Sequence, residues 1–377
     1  MAAEAAGAKK KASSLRKPAL RLALFLVLVA FLLTTELCHN HLFLFPSAKI
    51  EKTPADYQLA FEDIAFKNVA GKRLAGWYCP AQDPIGAVVL NHGNAGNIGG
   101  YIDYARCLTK AGLNVLLYDY QGFGKSEGGA SISSLVGDAL AAFDYLDSRV
   151  GGAEKIAVLG VSLGTPISCA IAAQRPKAAA VILEGAFLPD TELYWRMGTI
   201  GTPVAYIISK SLRPDIRPER DIAALNGRPL LMVHGDSDRT TPLFGAARLY
   251  EKAPQPKWLW VMEGVGHFPN PIVRKHDSYP QVLAAFLRHV FLGQDFDQPE
   301  VKSWAATRRG KGWQVEARIQ APAGPVGVAV ITKDNKAVRK QSLPAGSYDV
   351  RLEVQSPPLT VSAFVELQAE EPESGAR

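Results

Sequence analysis

Cysteine is scarce in this 377-residue chain: Cys38, Cys79, Cys107 and Cys169 lie far apart and form no C-x-x-C pair. That spacing excludes a disulfide-framework fold and gives a zinc site no ligand cluster to start from. Histidine is sparse as well, with seven residues, and the short "HNH" around Asn40 reads as a polar linker rather than a metal site. A sustained charge of one sign is also lacking. The formal charge is +6, but Lys9, Lys10, Lys11, Arg16, Lys17 and Arg21 crowd the first 21 positions beside one acid, Glu4. Without that stretch the chain is close to neutral, so nucleic acid is not an expected partner. No internal repeat is evident, and no metal or cofactor is called for.

What is present is ordinary globular material, 47% hydrophobic and 21% charged, in a chain long enough for a large α/β domain and a smaller one. The one long apolar run is "LALFLVLVAFLLTT", Leu22 to Thr35. Fourteen uncharged residues are short for a hydrocarbon core about 30 Å thick, but with Arg21 snorkelling, residues 19–38 approach a span. The expectation is a basic cytoplasmic tail (1–18), a transmembrane anchor (19–38) and a linker (39–55). By the positive-inside tendency the rest of the chain is then extracytoplasmic, periplasmic if bacterial. A cleaved signal peptide competes with this reading, as does lipidation at Cys38, although Leu37 is large for that pattern.

From Tyr57 onward strands alternate with helices. "YQLAFEDIAFKN" and "RLAGWYCPA" read as antiparallel strands. The runs "GAVVLNHG", "LNVLLYDY", "KIAVLG", "AAVILEG", "PLLMVHG" and "KWLWVMEG" are continuously apolar, as buried parallel strands are. Helical stretches such as "SISSLVGDALAAFDYLDSRV" and "YPQVLAAFLRHVFL" lie between them. The pattern predicts a doubly wound, mostly parallel α/β sheet over 56–296. One connection, 188–227, is far longer than a turn and carries Tyr194, Trp195 and Met197, which suits a lid or binding loop. A core helix with irregular flanks is the alternative. Residues 297–368 read as a small β-sandwich-like domain, a candidate for holding a protein or glycan partner, and 369–377 as a disordered tail.

The chemistry sits at the turns. "GVSLG", Gly160 to Gly164, falls where a buried strand meets a helix, the context in which a serine is held on a sharp, exposed turn. A serine hydroxyl needs a base, and His267 in "EGVGHF" follows the last apolar strand. His276 and His289 suit surface or packing positions. The acid is Asp238 in "MVHGDSDRTTP", with Asp236 as its rival. Ser162, Asp238 and His267 then occur in the chain order that this geometry uses. The oxyanion donors expected are the backbone N–H of Leu163 and that of Asn94 in "NHGNAGN", and His92 reads as structural.

With "HGNAGN", "DYQGFGKSEG", "GVSLG", "HGDSDRTTP" and "GVGH" in this order, the sequence resembles the α/β-hydrolase superfamily over residues 40–293. The resemblance is nearest to a membrane-anchored branch that includes depalmitoylating thioesterases, lipid esterases and serine-aminopeptidase-like sequences. It implies Ser162 as nucleophile, Asp238 as triad acid and His267 as base. Many relatives carry arginine where this chain has Gln121, which alters a structural ion pair rather than the triad. The function expected is hydrolysis of carboxylic esters or thioesters with an apolar acyl group, Tyr194 and Trp195 contacting the substrate. The alternatives are an aminopeptidase-type serine peptidase and a non-catalytic binding protein on the same fold.

Overall fold

The computed structural model describes residues 40, 43–188, 216–267, 278–321, 326–334, 337–343 and 346–364. An eight-stranded sheet forms its centre. In chain order the strands are β1 (Glu62–Lys67), β2 (Arg73–Cys79), β3 (Gly86–Asn91), β4 (Leu113–Tyr118), β5 (Ile156–Val161), β6 (Ala180–Glu184), β7 (Leu230–Gly235) and β8 (Lys257–Met262). Their spatial order is β1-β2-β4-β3-β5-β6-β7-β8. The pairs β1–β2 and β2–β4 are antiparallel, and every later pair is parallel.

The apolar runs become parallel strands because both faces of each are covered. Along β3, Val88 and Leu90 enter one core with Trp77, Tyr104, Leu108 and Phe286, while Ala87 and Val89 enter the opposite core with Leu135, Phe143 and Ile167. Strand β5 divides the same way, with Ala157, Leu159 and Val161 on one side and Ile156 and Val158 on the other. Each buried Val, Leu or Ile contributes roughly 1.5–3 kcal/mol relative to exposure. Helices α1 (Ile102–Lys110), α2 (Ile132–Val150), α3 (Gly164–Gln174), α4 (Pro218–Ala223), α5 (Leu243–Lys252) and α6 (Ser278–Leu292) supply the covering faces. Helix α2 begins at Ser131, whose Oγ accepts the Ser133 N–H, and stops at Gly151 in the left-handed region (φ 71°).

Six further strands, β9 (Glu300–Arg309), β10 (Gly312–Ala321), β11 (Val326–Thr332), β12 (Ala337–Leu343), β13 (Gly346–Val354) and β14 (Pro358–Phe364), form two three-stranded antiparallel sheets, β9-β10-β13 and β12-β11-β14. Val315, Ile319, Val328, Val330, Val350 and Val361 fill the space between them. Strand β14 packs against β8, the edge of the large sheet: Phe364 stacks on Trp260 at 5.1 Å between ring centroids, and the Ser362 hydroxyl donates to the Leu259 carbonyl. An otherwise open sheet edge is thereby covered.

The single-pass placement expected from the sequence is corrected here. Among the described residues no helix is long and apolar enough to cross a membrane. The longest, α2, has 19 residues and carries Asp138, Asp144, Asp147 and Arg149, against a requirement of about 20 mostly apolar ones. Residues 19–38, including Cys38, lie outside the described residues.

Candidate active site

The carboxyl ends of β3, β5, β6, β7 and β8 carry the candidate residues, because a parallel sheet brings all those strand ends to one side. Strand β5 is central, and the connections that leave β3 and β5 run to opposite sides, which opens a crevice there. Ser162 follows β5 with φ 53°, a left-handed conformation for a non-glycine residue. Its N–H donates to the Glu184 carbonyl at 2.8 Å. The flanking glycines are required by close approach. A Cβ on Gly164 would lie 1.9 Å from the Asn91 carbonyl oxygen, and one on Gly160 would lie 2.4 Å from that of Gly164. Helix α3 starts immediately after, so its unpaired N–H groups face the serine.

His267 and Asp238 arrive from the ends of β8 and β7. A Cβ on Gly235 would lie 2.2 Å from the Val265 carbonyl oxygen, so only glycine lets these two loops meet. The Ser237 N–H then donates to that carbonyl at 2.9 Å. His267 Nε2 lies 3.0 Å from Ser162 Oγ, and Nδ1 lies 2.7 Å from Asp238 Oδ2. Asp238 is buried but fully engaged: Oδ1 accepts the Thr240 and Thr241 N–H groups at 2.8 and 2.9 Å, and Oδ2 also accepts the Thr241 hydroxyl at 2.7 Å. Burial alone would raise this carboxyl. The hydrogen bond from His267, the imidazoles of His234 and His267 and the Thr241 hydroxyl outweigh burial and hold it below the usual carboxylate range. Asp236, the rival acid, braces the adjacent turn instead, accepting the Gly264 N–H at 2.8 Å.

Two residues that the sequence reading passed over stabilise this relay. Thr241 Oγ1 touches both Asp238 and His267 Nδ1, the latter at 3.2 Å. His234, fully buried, accepts the Ala186 N–H at Nδ1, which leaves Nε2–H to donate to the Thr241 carbonyl at 2.8 Å. Burial lowers the His234 pKa, against the opposing pull of the Asp238 carboxylate. The available signal was "DRTTP" beside Asp238, two hydroxyls following a candidate acid, and it is a weak one.

The loop after β3 lies across the cleft from the serine. Among the described residues the N–H groups of Asn94 and Leu163 have no acceptor, which leaves both available to an oxyanion. The loop is pinned from outside by the Phe45 N–H, which donates to the Asn94 carbonyl at 2.7 Å, and by a short parallel ladder of Phe45–Pro46 with Ala95–Gly96. His92 is fully buried against the Tyr120 ring at 4.2 Å, and its Nδ1 lies 2.7 Å from the Gly93 carbonyl. Burial brings its pKa down to about 4, which suits a neutral packing residue. Gln121 closes its own loop, its N–H donating to Asp138 and its side chain to the Gly129 carbonyl.

The cleft has a volume of about 590 Å³, and Ser47, Lys49, Lys52, Asn97 and Tyr101 line it together with Ser162 and His267. Tyr194 and Trp195, like most of the 188–227 connection, lie outside the described residues, as does His276. His289 is on helix α6, with Nδ1 2.7 Å from the Gln294 carbonyl, away from the serine. Among the described residues no three His, Cys, Asp or Glu side chains are grouped to hold a metal ion. Burial pushes the Cys79 and Cys107 thiols up to about 12, so neither is a ready nucleophile.

The family described as serine aminopeptidase, S33, matches residues 82–224, a stretch that contains Ser162 but neither Asp238 nor His267. The chain is 34% identical to the Mycobacterium tuberculosis protein Rv2307c over 233 residues, which span 60% of this chain and 80% of that one. It is 31% identical over 216 residues to the alpha/beta hydrolase domain-containing protein WAV2 of Arabidopsis thaliana, covering 53% of this chain and 69% of the relative. Among solved structures, the Pyrococcus furiosus esterase Pf2001 shares the fold, with a TM-score of 0.53 at 20% identity over 66% of this chain and 98% of the esterase.

Proposed function

The chain belongs to the α/β-hydrolase superfamily, and from that premise we propose that it is a serine hydrolase cleaving carboxylic esters or thioesters through an acyl-Ser162 intermediate. One observation carries the reading: Ser162, on a left-handed turn, is hydrogen-bonded to a histidine whose other nitrogen is bonded to a buried, fully engaged carboxylate. His267 accepts the serine proton as Oγ attacks the carbonyl carbon, and Asp238 orients the ring and stabilises the imidazolium. The Leu163 and Asn94 N–H groups stabilise the negative oxygen that forms. His267 then protonates the departing alcohol or thiol, and afterwards draws a proton from water as the acyl group is released. An apolar acyl group is part of the proposal because Tyr194 and Trp195 occur in the long connection after β6.

Steady-state hydrolysis of p-nitrophenyl esters and acyl thioesters is the test. Wild type is expected to turn over, and Ser162→Ala and His267→Ala are each expected to lose on the order of 10⁴-fold or more in kcat. Turnover by Ser162→Ala at the wild-type rate would refute the proposal. The matched family's description favours a second reading, cleavage of amino-terminal residues from peptides. It requires an acid to hold the α-amine. Among the described residues the acid lining the cleft apart from the triad is Glu51, which is solvent-exposed beside Lys49 at 3.4 Å and so holds a charged amine only weakly. Aminoacyl amides are therefore expected to be poorer substrates than acyl esters.

A further inference from the structure

Tyr101 ends the short helical turn Ile98–Tyr101 that leads into α1, and it lines the cleft with Ser162 and His267 although only 3% of it is exposed. Its hydroxyl oxygen accepts the Gly93 N–H at 2.8 Å. That bond has two consequences. It takes the Gly93 N–H out of the set that can reach a substrate, and it fixes the direction of the phenol, which has one proton to donate. Among the described residues that proton has no acceptor, so the cleft holds a buried, oriented and unused O–H donor. Burial, with the nearby Glu184 and Asp119 carboxyls, pushes the phenol well above its usual range, despite the opposing Gly93 bond, and keeps the donor protonated.

The position of the hydroxyl relative to the nucleophile follows from the glycine between them. A Cβ on Gly93 would lie 2.8 Å from Tyr101 Oη and 3.6 Å from Ser162 Cβ, so the phenol and the serine flank the same point at the floor of the cleft. The ring is held by His92 and Tyr104, with centroids at 5.8 and 6.0 Å, so the hydroxyl is preorganised. We propose that Tyr101 donates a hydrogen bond to the carbonyl oxygen of the substrate as it becomes an oxyanion, acting as a side-chain partner to the Leu163 and Asn94 N–H groups. This rests on the acyl-serine reading of the same site.

Tyr101→Phe keeps the ring and removes the donor. Its kcat for an acyl ester is expected to fall roughly a hundred- to a thousandfold with KM little changed, as for loss of an oxyanion donor. The same substitution also frees the Gly93 N–H, so a second variant separates donation to substrate from support of the loop. Replacing Tyr101 by 3-fluorotyrosine makes the phenol a stronger donor and a weaker acceptor. If Tyr101 donates to the oxyanion, the fluorinated protein retains or exceeds the wild-type kcat. A fluorinated protein slowed in parallel with Tyr101→Phe would overturn the proposal in favour of loop support, and so would Tyr101→Phe with wild-type kcat. Labelling of Ser162 by a fluorophosphonate in the same preparations separates the two claims. Absence of labelling in wild type defeats the acyl-serine reading and this inference with it. Normal labelling with unaltered Tyr101→Phe kinetics defeats only the inference.

Discussion

At the scale of single residues, the unusual backbone of Ser162 is a measurable cost. A left-handed conformation disfavours any residue with a Cβ by roughly 1–2 kcal/mol, and here the N–H···O bond to Glu184 and the flanking glycines hold it. Ser162→Gly and Ser162→Ala both lack the hydroxyl, so their difference isolates the backbone. The glycine variant is expected to unfold at higher urea, being more stable by about 1 kcal/mol after the entropy glycine adds to the unfolded chain. Equal midpoints would contradict this. Glu184 offers a pH test. Its carboxyl, fully buried, accepts hydrogen bonds from Tyr104 at 2.6 Å and from Tyr279, and burial pushes it up to about 7 despite those bonds. Between its ordinary value of 4.5 and about 7 the native state binds more protons than the unfolded one, so this contribution is fully present below 4.5 and is lost as pH rises through 7. The stability of Glu184→Gln minus that of wild type should therefore climb between pH 5 and pH 7.5, by at most about 3 kcal/mol. Parallel pH curves would rule it out. Ser162, Asp238 and His267 were legible because their order and strand-end positions are linear features. Tyr101, Thr241 and Glu184 were not, because a hydroxyl or carboxyl gains its role from partners that only the fold brings near, 95 positions away for Glu184 and Tyr279.

At the scale of elements, strand β5, the turn and helix α3 act as one device whose tolerance is set by backbone contact. A methyl at Gly164 would meet two backbone carbonyls, those of Asn91 and His92, and neither can swing aside as a side chain would. Gly164→Ala is expected to destabilise by roughly 3 kcal/mol, visible as lost soluble yield and a lower urea midpoint, where the exposed Gly129→Ala has little effect. A wild-type midpoint for Gly164→Ala would contradict the close approach. The six parallel strands of the large sheet, β3 to β8, could be read in advance because burial on both faces leaves continuous apolar runs, whereas β1, mostly exposed, shows only as an alternating antiparallel strand. Strands β9 and β12 could not. "EVKSWAATRR" is mostly exposed, and "AVRKQSL" gains its place by pairing with β11, which is not a property of its own sequence.

At the scale of the whole molecule, the carboxy-terminal sheets share a packed core with the large sheet. Phe364 lies in the same core as Trp260, Met262 and Tyr279, and Thr360 is hydrogen-bonded to Glu251 on α5. Phe364→Ala is expected to cost about 3–5 kcal/mol and to lower the unfolding midpoint reported by hydrolase activity as well as by fluorescence. An activity midpoint that does not move would mean the two parts unfold independently. Strand β8, on which Phe364 packs, leads directly to His267, so this packing supports one side of the candidate relay. In the proposed reaction that relay makes Ser162 a nucleophile. The most direct measurement is labelling of the folded protein by a fluorophosphonate, with the modified residue mapped by mass spectrometry. Stoichiometric modification of Ser162 is expected, lost in Ser162→Ala and slowed by orders of magnitude in His267→Ala. Equal labelling of wild type and Ser162→Ala, or modification of another residue, would contradict it.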